Sequence, residues 1–403
     1  MNTFDVVVVG ARLAGAATAM LLARHGLRVA LVDRSRLGAD TLSTHALMRA
    51  GVLQLHRWGL LDRVRDAGTP TVVRTTFTYE DSVVPIDIEP SDGVDGLYAP
   101  RRTVLDPILV QAAHEAGVEV RFGYSVKDLV RGPGGRPVGV TGVSNDGSSF
   151  TIRAPFVVGA DGIRSTIARL VDAPVEIQGQ HASAVTYGYW SGAAVDGYEW
   201  VFVRDASTGA LPTNDGQTCV FASATPERIG RGGVDVITAM LRASAPELAA
   251  RLEPAQPPSS TRTWHGQTGF LRRAWGSGWA LVGDAGYFKD PLSAHGMTDA
   301  LRDAELLARA LVAIHAGADE AHALADYQAQ RDEVSVPMFE LIDRIASHQW
   351  TSAEIGSLLR RQARLMRDEV ELVSGLDWPA HAMHSSKGDS YEQLESHAAR
   401  HAA

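Results

Sequence analysis

The stretch that decides the fold is Asp5-Val6-Val7-Val8-Val9-Gly10-Ala11-Arg12-Leu13-Ala14-Gly15, near the start of the 403-residue chain. Its run of valines is typical of a short strand buried in a parallel sheet. The glycine-containing turn leads into a predicted helix over residues 14–25, which Gly26 ends. A second strand is predicted over residues 27–33. The stretch therefore predicts a β-α-β unit of about 30 residues.

The turn after the first strand has the setting of a dinucleotide-binding fingerprint. It joins a strand to a helix, and Asp33 closes the next strand 23 residues after Gly10. Gly10 permits the tight turn, and Gly15 lets the helix pack close to the strand. The helix N-terminus, at Ala14, offers N–H groups to a diphosphate, and Asp33 can accept hydrogen bonds from a ribose. Arg12 stands where the fingerprint has its second glycine, so its side chain either points away from the phosphates or contacts them.

Two further segments have the form of a strand followed by a ligand-binding loop. The first is Val157-Val158-Gly159-Ala160-Asp161-Gly162-Ile163-Arg164-Ser165. The second is Gly283-Asp284-Ala285-Gly286, which continues through Pro291 to Gly296 and into a predicted helix over residues 297–316. The three segments, in this order and spacing, resemble the FAD-dependent aromatic hydroxylases of the p-hydroxybenzoate hydroxylase type, the single-component flavoprotein monooxygenases. The resemblance covers residues 1–330.

The start Gly-Ala-Arg-x-Ala-Gly narrows the resemblance further. Together with residues 40–45 and 99–102, it is similar to a bacterial subgroup of FAD-dependent oxidoreductases. The resemblance implies that Asp284 bonds the ribityl chain of FAD, and that the helix starting at Gly296 points its N-terminus at the flavin ring. A helix N-terminus stabilises the negative charge of the reduced ring. Arg102 matches the arginine that reaches the FAD phosphates, and Arg101 is a poorer candidate. The implied cofactor-binding residues are Gly10, Arg12, Ala14, Gly15, Asp33, Arg34, Arg102, Asp161, Gly283, Asp284, Gly296 and Met297.

The candidate catalytic residues are Pro291, His295 and His45. The resemblance implies that Pro291 borders the flavin ring where oxygen reacts. Three residues depart from the family pattern: Tyr287 replaces a common histidine, Ala294 a common glycine, and His295 a common glutamine. His45 ends a loop rich in Asp, Ser and Thr, where it either lines the flavin cavity or acts only as a polar loop residue.

The candidate substrate contacts are aromatic residues of a predicted antiparallel sheet between residues 179 and 268. Strand alternation places Tyr187 and Tyr189 on one face of their strand, and Trp200 and Phe202 on one face of the next. The resemblance implies that this sheet covers the substrate cavity. Packing in the core is the alternative for each of these four side chains.

The predicted fold class is mixed α/β (α+β). A Rossmann-like FAD-binding domain is assembled from residues 1–70, 99–178 and 269–330, and an antiparallel substrate sheet is inserted in it. That sheet takes residues 71–98 and 179–268. C-terminal helices are expected over residues 331–380, and a polar tail over residues 381–403.

Composition excludes several other classes of protein. There are 38 Lys and Arg against 47 Asp and Glu, and the net charge of −9 argues against a general nucleic-acid binder. The single cysteine, Cys219, excludes an internal disulfide and a cysteine-based zinc site. His397 and His401 have a helical ligand spacing without a third ligand, so no metal site is expected. No apolar run approaches a membrane span of about 20 residues. A cytoplasmic location is expected, because residues 1–5 lack the basic region of a secretory signal. The expected oligomeric state is a monomer or a homodimer.

The resemblance implies a monooxygenase. NADH or NADPH would reduce FAD, and O₂ would form a C4a-hydroperoxide that hydroxylates or epoxidises an electron-rich aromatic or polyketide-like molecule. One alternative is a flavin-dependent reductase of isolated C=C bonds, resembling geranylgeranyl reductases, because Tyr198–Phe202 echoes a segment of their lipid pocket. Another is a non-catalytic flavin-binding redox sensor. Halogenation is disfavoured, since neither a Trp-x-Trp-x-Ile-Pro segment nor a suitably placed lysine is found.

Overall fold

The computed structural model describes residues 4–79, 82–376 and Trp378. The predicted polar tail, with His397 and His401, lies outside these residues. The strands are β1 Val6–Val9, β2 Val29–Asp33, β3 Arg74–Tyr79, β4 Ser82–Asp87, β5 Glu119–Phe122, β6 Tyr124–Arg131, β7 Pro137–Ser144, β8 Ser149–Arg153, β9 Phe156–Gly159, β10 Val175–Gln178, β11 Ala184–Ser191, β12 Tyr198–Val203, β13 Ala206–Pro212, β14 Gln217–Ala224, β15 Arg262–Trp264, β16 Phe270–Arg272, β17 Trp275–Gly276, β18 Trp279–Leu281 and β19 Tyr287–Phe288.

The helices include the predicted first crossover and a long C-terminal series. They are α1 Leu13–Arg24, α2 Arg49–Arg57, α3 Leu61–Asp66, α4 Arg102–Glu115, α5 Thr166–Leu170, α6 Pro226–Ile229, α7 Val234–Ser244, α8 Pro246–Leu252, α9 Gly296–His315, α10 Glu320–Ala346 and α11 Ser352–Ser374. Within the described ranges, each helix is too short or too polar to cross a membrane.

A six-stranded sheet with the order β17-β18-β9-β1-β2-β5 organises the three predicted motifs. Strand β1 pairs in parallel with both β2 and β9, and β18 pairs in parallel with β9. The carboxyl ends of these four strands therefore meet at one edge, where ligands bind in open α/β sheets. Each of the predicted loops leaves from that edge.

Both faces of this sheet are buried. On one face, Val8 and Leu31 pack in a core with α1, α4 and α9. On the other, Val7 and Val32 pack against a three-stranded sheet formed by β6, β7 and β8. Residues 132–135, which are rich in glycine, connect β6 to β7 in this sheet. Four consecutive valines therefore form β1, because both faces of the sheet are covered at this strand.

The inserted segments form one seven-stranded sheet with the order β15-β11-β14-β13-β12-β3-β4. Its strands come from residues 71–98 and 179–268, and its one parallel pair joins β12 to β3. Its inner face packs against α10 and α11, and its outer face against α7 and α8. Helices α7 and α8 are separate because Pro246 lacks an N–H and α7 ends before it.

Candidate active site

A cavity of about 680 Å³ lies at the edge where β1, β2, β9 and β18 end. Val185 and Tyr187 of β11, together with Trp264 of β15, bring the seven-stranded sheet to its wall. Most of the predicted cofactor-binding residues line it: Gly10, Arg12, Ala14, Asp33, Arg34, Arg102, Asp161, Asp284, Gly296 and Met297. Segments that are far apart in the sequence therefore line one cavity.

Gly15 and Gly283 are predicted cofactor-binding residues that lie behind this wall. A Cβ on Gly15 would sit 1.8 Å from the carbonyl oxygen of Gly10, so Gly15 serves close packing. Gly10 has φ +106°, and a Cβ there would lie 2.3 Å from the carbonyl oxygen of Ala160. The first and second motifs therefore touch at a point that only glycine tolerates.

The Asp33 carboxylate is fixed by the backbone around it. Its Oδ2 accepts a hydrogen bond from Ala11 N at 2.8 Å, and its Oδ1 accepts one from Ser35 N at 2.7 Å. No described side chain caps α1, so the amides of its first turn are open towards the cavity. This is the geometry in which a helix N-terminus binds a diphosphate beside a ribose.

The position of the fingerprint's second glycine accommodates Arg12, because the Arg12 side chain runs along the cavity wall. Its Nη1 donates to Ala39 O at 3.2 Å, and Nη2 donates to Asp40 O at 3.4 Å. The Arg12 Nη1 also lies 3.6 Å from the Asp106 carboxylate, which accepts two bonds from Arg102 at 2.9 and 3.0 Å. Buried Asp106 therefore holds two guanidinium groups at the cavity. This pairing was not predicted; its sequence signal is a carboxylate one helical turn after Arg102.

Asp284 presents an unpaired carboxylate to the cavity. It lies deep in the protein, and burial raises its pKa to about 6. Its side chain nevertheless has exposed surface, since it faces the cavity. No hydrogen-bond donor among the described residues reaches this carboxylate. Such a group fits a ligand that brings its own hydroxyls, as the ribityl chain of FAD does.

Hydrogen bonds to the Asp290 carboxylate fix the loop between Asp284 and α9. Asp290 Oδ2 accepts a hydrogen bond from Ser183 N at 2.6 Å, and Oδ1 accepts one from Leu292 N at 2.9 Å. These bonds place Pro291 on the cavity wall. Ala294 follows with φ +49°, a left-handed conformation that explains why glycine is common there. The open first turn of α9, at Gly296, then faces the cavity.

His45 and Tyr187 line the part of the cavity under the seven-stranded sheet. His45 is 1% exposed and has φ +69°. Its Nε2 lies 2.5 Å from the Tyr189 hydroxyl, and its Nδ1 has no partner among the described residues. Burial lowers the pKa of His45 to about 3, and Arg102 and Arg101 add to the effect, so the ring is neutral at physiological pH. The Tyr187 hydroxyl accepts a hydrogen bond from Ser43 N at 3.0 Å.

Tyr189, Trp200, Phe202 and His295 are predicted site residues that the structure places outside the cavity lining. Tyr189 contacts two residues of the lining, His45 through a hydrogen bond and Tyr187 through its ring. Trp200 Nε1 donates to Thr75 Oγ1 at 3.0 Å, and Trp200 and Phe202 are both buried in the core under the sheet. The alternation was predicted correctly, but it could not say which face meets a ligand.

His295 belongs instead to a buried group of charged side chains, here named the α9 cluster: Lys289, His295, Asp299, Arg302, Asp303 and Glu369. The His295 Nε2 lies 2.5 Å from Glu369 Oε2. His295, Asp299 and Glu369 have ligand atoms within 4.8 Å of one another, as in a metal site. Their carboxylates, however, already bond to Lys289 and Arg302, which occupy that space. Lys289, alone among the members of the α9 cluster other than Asp299, lines the cavity.

The sequence pattern of the family described as "FAD binding domain" matches residues 3–340. The chain belongs to this family. It is therefore a flavoprotein of the FAD-dependent oxidoreductase class, and the cavity residues fit FAD at its diphosphate, ribose and ribityl parts.

Curated relatives are distant. FixC of Salmonella typhimurium is 26% identical over 235 residues, which cover 58% of this chain and 52% of FixC. The chain thus spans about half the length of this relative. A digeranylgeranylglycerophospholipid reductase of Methanocella arvoryzae is 25% identical over 352 residues, which cover 82% of this chain and 83% of the reductase.

Solved structures confirm the fold. The flavin-dependent brominase Bmp2 superimposes with a TM-score of 0.76 at 17% identity, covering 100% of this chain and 99% of Bmp2. PqsL of Pseudomonas aeruginosa, a probable FAD-dependent monooxygenase, superimposes with a TM-score of 0.72 at 24% identity, covering 91% of this chain and 100% of PqsL. At these identities the likeness establishes the architecture alone.

Proposed function

We propose that this flavoprotein is a monooxygenase that uses NADH or NADPH and O₂ to hydroxylate or epoxidise an electron-rich aromatic or polyketide-like small molecule. The observation that carries the proposal is the polar and aromatic wall opposite the flavin-binding residues. There the His45 ring and the Tyr187 hydroxyl line a cavity that also holds Pro291. The proposal includes a monomer or homodimer in the cytoplasm.

In the His45 ring, Nε2 is hydrogen-bonded to the Tyr189 hydroxyl, and Nδ1 has no partner among the described residues. We assign the Tyr189 hydroxyl as the donor to Nε2, which places the hydrogen of the neutral ring on Nδ1. Because this N–H is buried and has no partner among the described residues, a substrate oxygen that accepts from it removes an unfavourable state. Arg101 and Arg102 make the surroundings positive, which favours a phenol or enol oxygen that carries negative charge.

FAD, when bound, supplies electron transfer from the nicotinamide and the activation of O₂. The chain supplies position and shelter from water. Tyr187, Trp264 and Phe288 give the cavity an aromatic wall. Helices α10 and α11 cover the inner face of the seven-stranded sheet behind that wall. Exclusion of water matters because it prevents loss of the activated oxygen as peroxide.

The reductase alternative depends on the segment Tyr198–Phe202. In the structure Tyr198 is 0% exposed, and Trp200 and Phe202 are also buried. None of the three lines the cavity. Burial of this segment in the core favours the monooxygenase over the reductase, although a digeranylgeranylglycerophospholipid reductase is among the curated relatives.

The test is stopped-flow absorbance of the FAD-loaded protein, reduced without oxygen and then mixed with oxygenated buffer and a panel of phenolic compounds. We expect a transient absorbance band before the spectrum of oxidised FAD returns, together with an oxygenated product in one or more panel members. Tyr187→Phe is the matched variant, since it removes one hydroxyl from the substrate wall. Direct return of oxidised FAD without product for every compound, and turnover of a prenyl lipid without O₂, would establish the reductase instead.

A further inference from the structure

Lys289 is a buried lysine on the wall of the FAD cavity, and the proposed reaction does not use it. Its side chain is 3% exposed, and its Nζ bonds to Asp299 Oδ2. An ammonium group carries three N–H donors. Among the described residues, Asp299 is its one hydrogen-bond acceptor. Two donors on a buried charge are therefore left for a ligand in the cavity, because an unsatisfied buried donor is costly.

Asp299 also contacts the second cation of the α9 cluster. Its Oδ1 accepts a hydrogen bond from Arg302 Nη1, at 3.1 Å. One carboxylate therefore bridges Lys289 and Arg302. Behind them, Arg302 is bonded to Asp303 and to Glu369, which lie further from the cavity lining. The ring of Tyr287 faces the ammonium, with its centroid 4.9 Å from Nζ.

Lys289 lies at the end of the cavity that receives the flavin ring. It shares a loop with Asp284 and Pro291, and all three line the cavity. Burial raises the pKa of Asp284, and the charges of Arg102 and Lys289 oppose that rise, so Lys289 is within electrostatic reach of the ribityl site. The open first turn of α9 adds its positive end to the same wall.

We propose that Lys289 donates a hydrogen bond to an electron-rich atom of the flavin ring, and that its charge favours reduced FAD over oxidised FAD. Reduced flavin carries extra negative charge on the ring, so a nearby ammonium stabilises it more than the neutral oxidised ring. The inference requires only that FAD binds here, and does not depend on the monooxygenase reaction. Lys289 is on this account a cofactor-binding residue that sets the reduction potential.

The same groups make the effect dependent on pH. Burial lowers the pKa of Lys289 to about 7, with Arg302 adding to the fall and Glu369, Asp303 and Asp284 opposing it. The charge of Lys289 is therefore present below pH 7 and is lost above it. A plot of the reduction potential of bound FAD against pH is therefore expected to change slope near pH 7 in the wild-type protein.

The experiment measures the reduction potential of bound FAD by equilibration with a reference dye, in the wild type and four variants. Lys289→Met and Lys289→Gln remove the charge, and we expect the affinity for reduced FAD relative to oxidised FAD to fall at least tenfold. For a two-electron couple, a tenfold fall is a shift of about 30 mV. Asp299→Asn removes the opposing charge and is expected to shift the potential the other way. Arg204→Met is the control, because Arg204 is exposed, lies outside the cavity lining and is screened by solvent.

Opposite shifts in the Lys289 and Asp299 variants, with Arg204→Met unchanged, support the proposal. A ratio within twofold of the wild type in FAD-loaded Lys289→Met and Lys289→Gln overturns it, and leaves Lys289 as a partner of Asp299 only. If both lysine variants fail to hold FAD, Asp299→Asn decides: a raised potential supports the proposal, and an unchanged one overturns it. None of these outcomes depends on whether the protein oxygenates a substrate.

Discussion

Arg12 Nη1 lies 3.6 Å from the carboxylate of Asp106, and this contact ties the first βα turn to the start of α4. The same carboxylate holds Arg102 with two hydrogen bonds. A position where the dinucleotide fingerprint has glycine is thus filled by a side chain that another helix keeps in place. The Arg12 side chain thus lies on the cavity wall, beside Asp40 and Asp106.

Asp106→Asn is expected to weaken FAD binding about tenfold through loosened positions of Arg102 and Arg12, because charge-assisted pairs fix a guanidinium more tightly than neutral ones. Affinity for riboflavin, which has no diphosphate, is expected to stay unchanged. Fluorescence titration of the apoprotein with both ligands measures the two affinities. Asp62→Asn is the control, since Asp62 pairs with Arg65 at the surface. Equal losses for FAD and riboflavin would show a general structural defect.

Asp284→Ala is expected to lower FAD affinity on the order of 10- to 100-fold, because hydrogen bonds to a charged group are worth about 1.5–3 kcal/mol. FAD content after purification and a titration of the apoprotein check this. Asp368→Ala, an exposed site on α11, should leave both unchanged. Wild-type FAD content in Asp284→Ala would show that this carboxylate does not bind the cofactor.

Ala294→Gly is expected to stabilise the protein by about 0.5–1 kcal/mol. At φ +49° an alanine is strained by roughly 1–2 kcal/mol, and glycine loses part of that gain through its more flexible unfolded state. Thermal unfolding measures the change. Ala363→Gly on the exposed face of α11 is the matched control and should destabilise by about 1 kcal/mol. Destabilisation by both substitutions would contradict strain at residue 294.

His348→Asn is expected to make stability less sensitive to acid. Burial lowers the pKa of His348 to about 4, so between pH 6.5 and 4 the unfolded chain binds a proton that the folded chain does not. The folded state therefore loses up to about 1.4 kcal/mol per pH unit from this group as the pH falls through that window. Asparagine tolerates the φ of +54° at this position. Melting temperatures of both proteins from pH 7 to pH 4 should converge as the pH falls; parallel curves would contradict the assignment.

The parts of the fold that follow local rules could be predicted. The valine run, the glycine turn and Asp33 have fixed spacings, and they predicted β1, α1 and β2 to within a few residues. The contact between Gly10 and Ala160 brings two motifs together at the edge that parallel strands share. Those motifs carried the prediction of FAD, and the family match supports it.

The parts of the fold and of the site that depend on contacts between residues far apart in the sequence could not be predicted. Glu369 meets His295 across 74 positions, and no periodicity links α11 to α9. Trp200 was assigned to the substrate wall because alternation defines two faces but not what covers each. Lys289 stood within a recognised motif, but its burial and its bond to Asp299 depend on how the loop returns to α9. Charge placement of this kind follows from packing and not from composition.

The cavity joins residues 9–46 to residues 284–300, and this separation has a consequence for synthesis of the chain. When only the first half of the chain has been synthesised, the turn at Arg12 and the strand that ends at Asp33 are present. Asp284 and the start of α9 are not yet made. Strand β18, which extends the six-stranded sheet beyond β9, is also still missing. Productive capture of FAD therefore comes late in biosynthesis, and starvation for flavin should lead to fully translated, protease-sensitive chains and not to ribosomes stalled early.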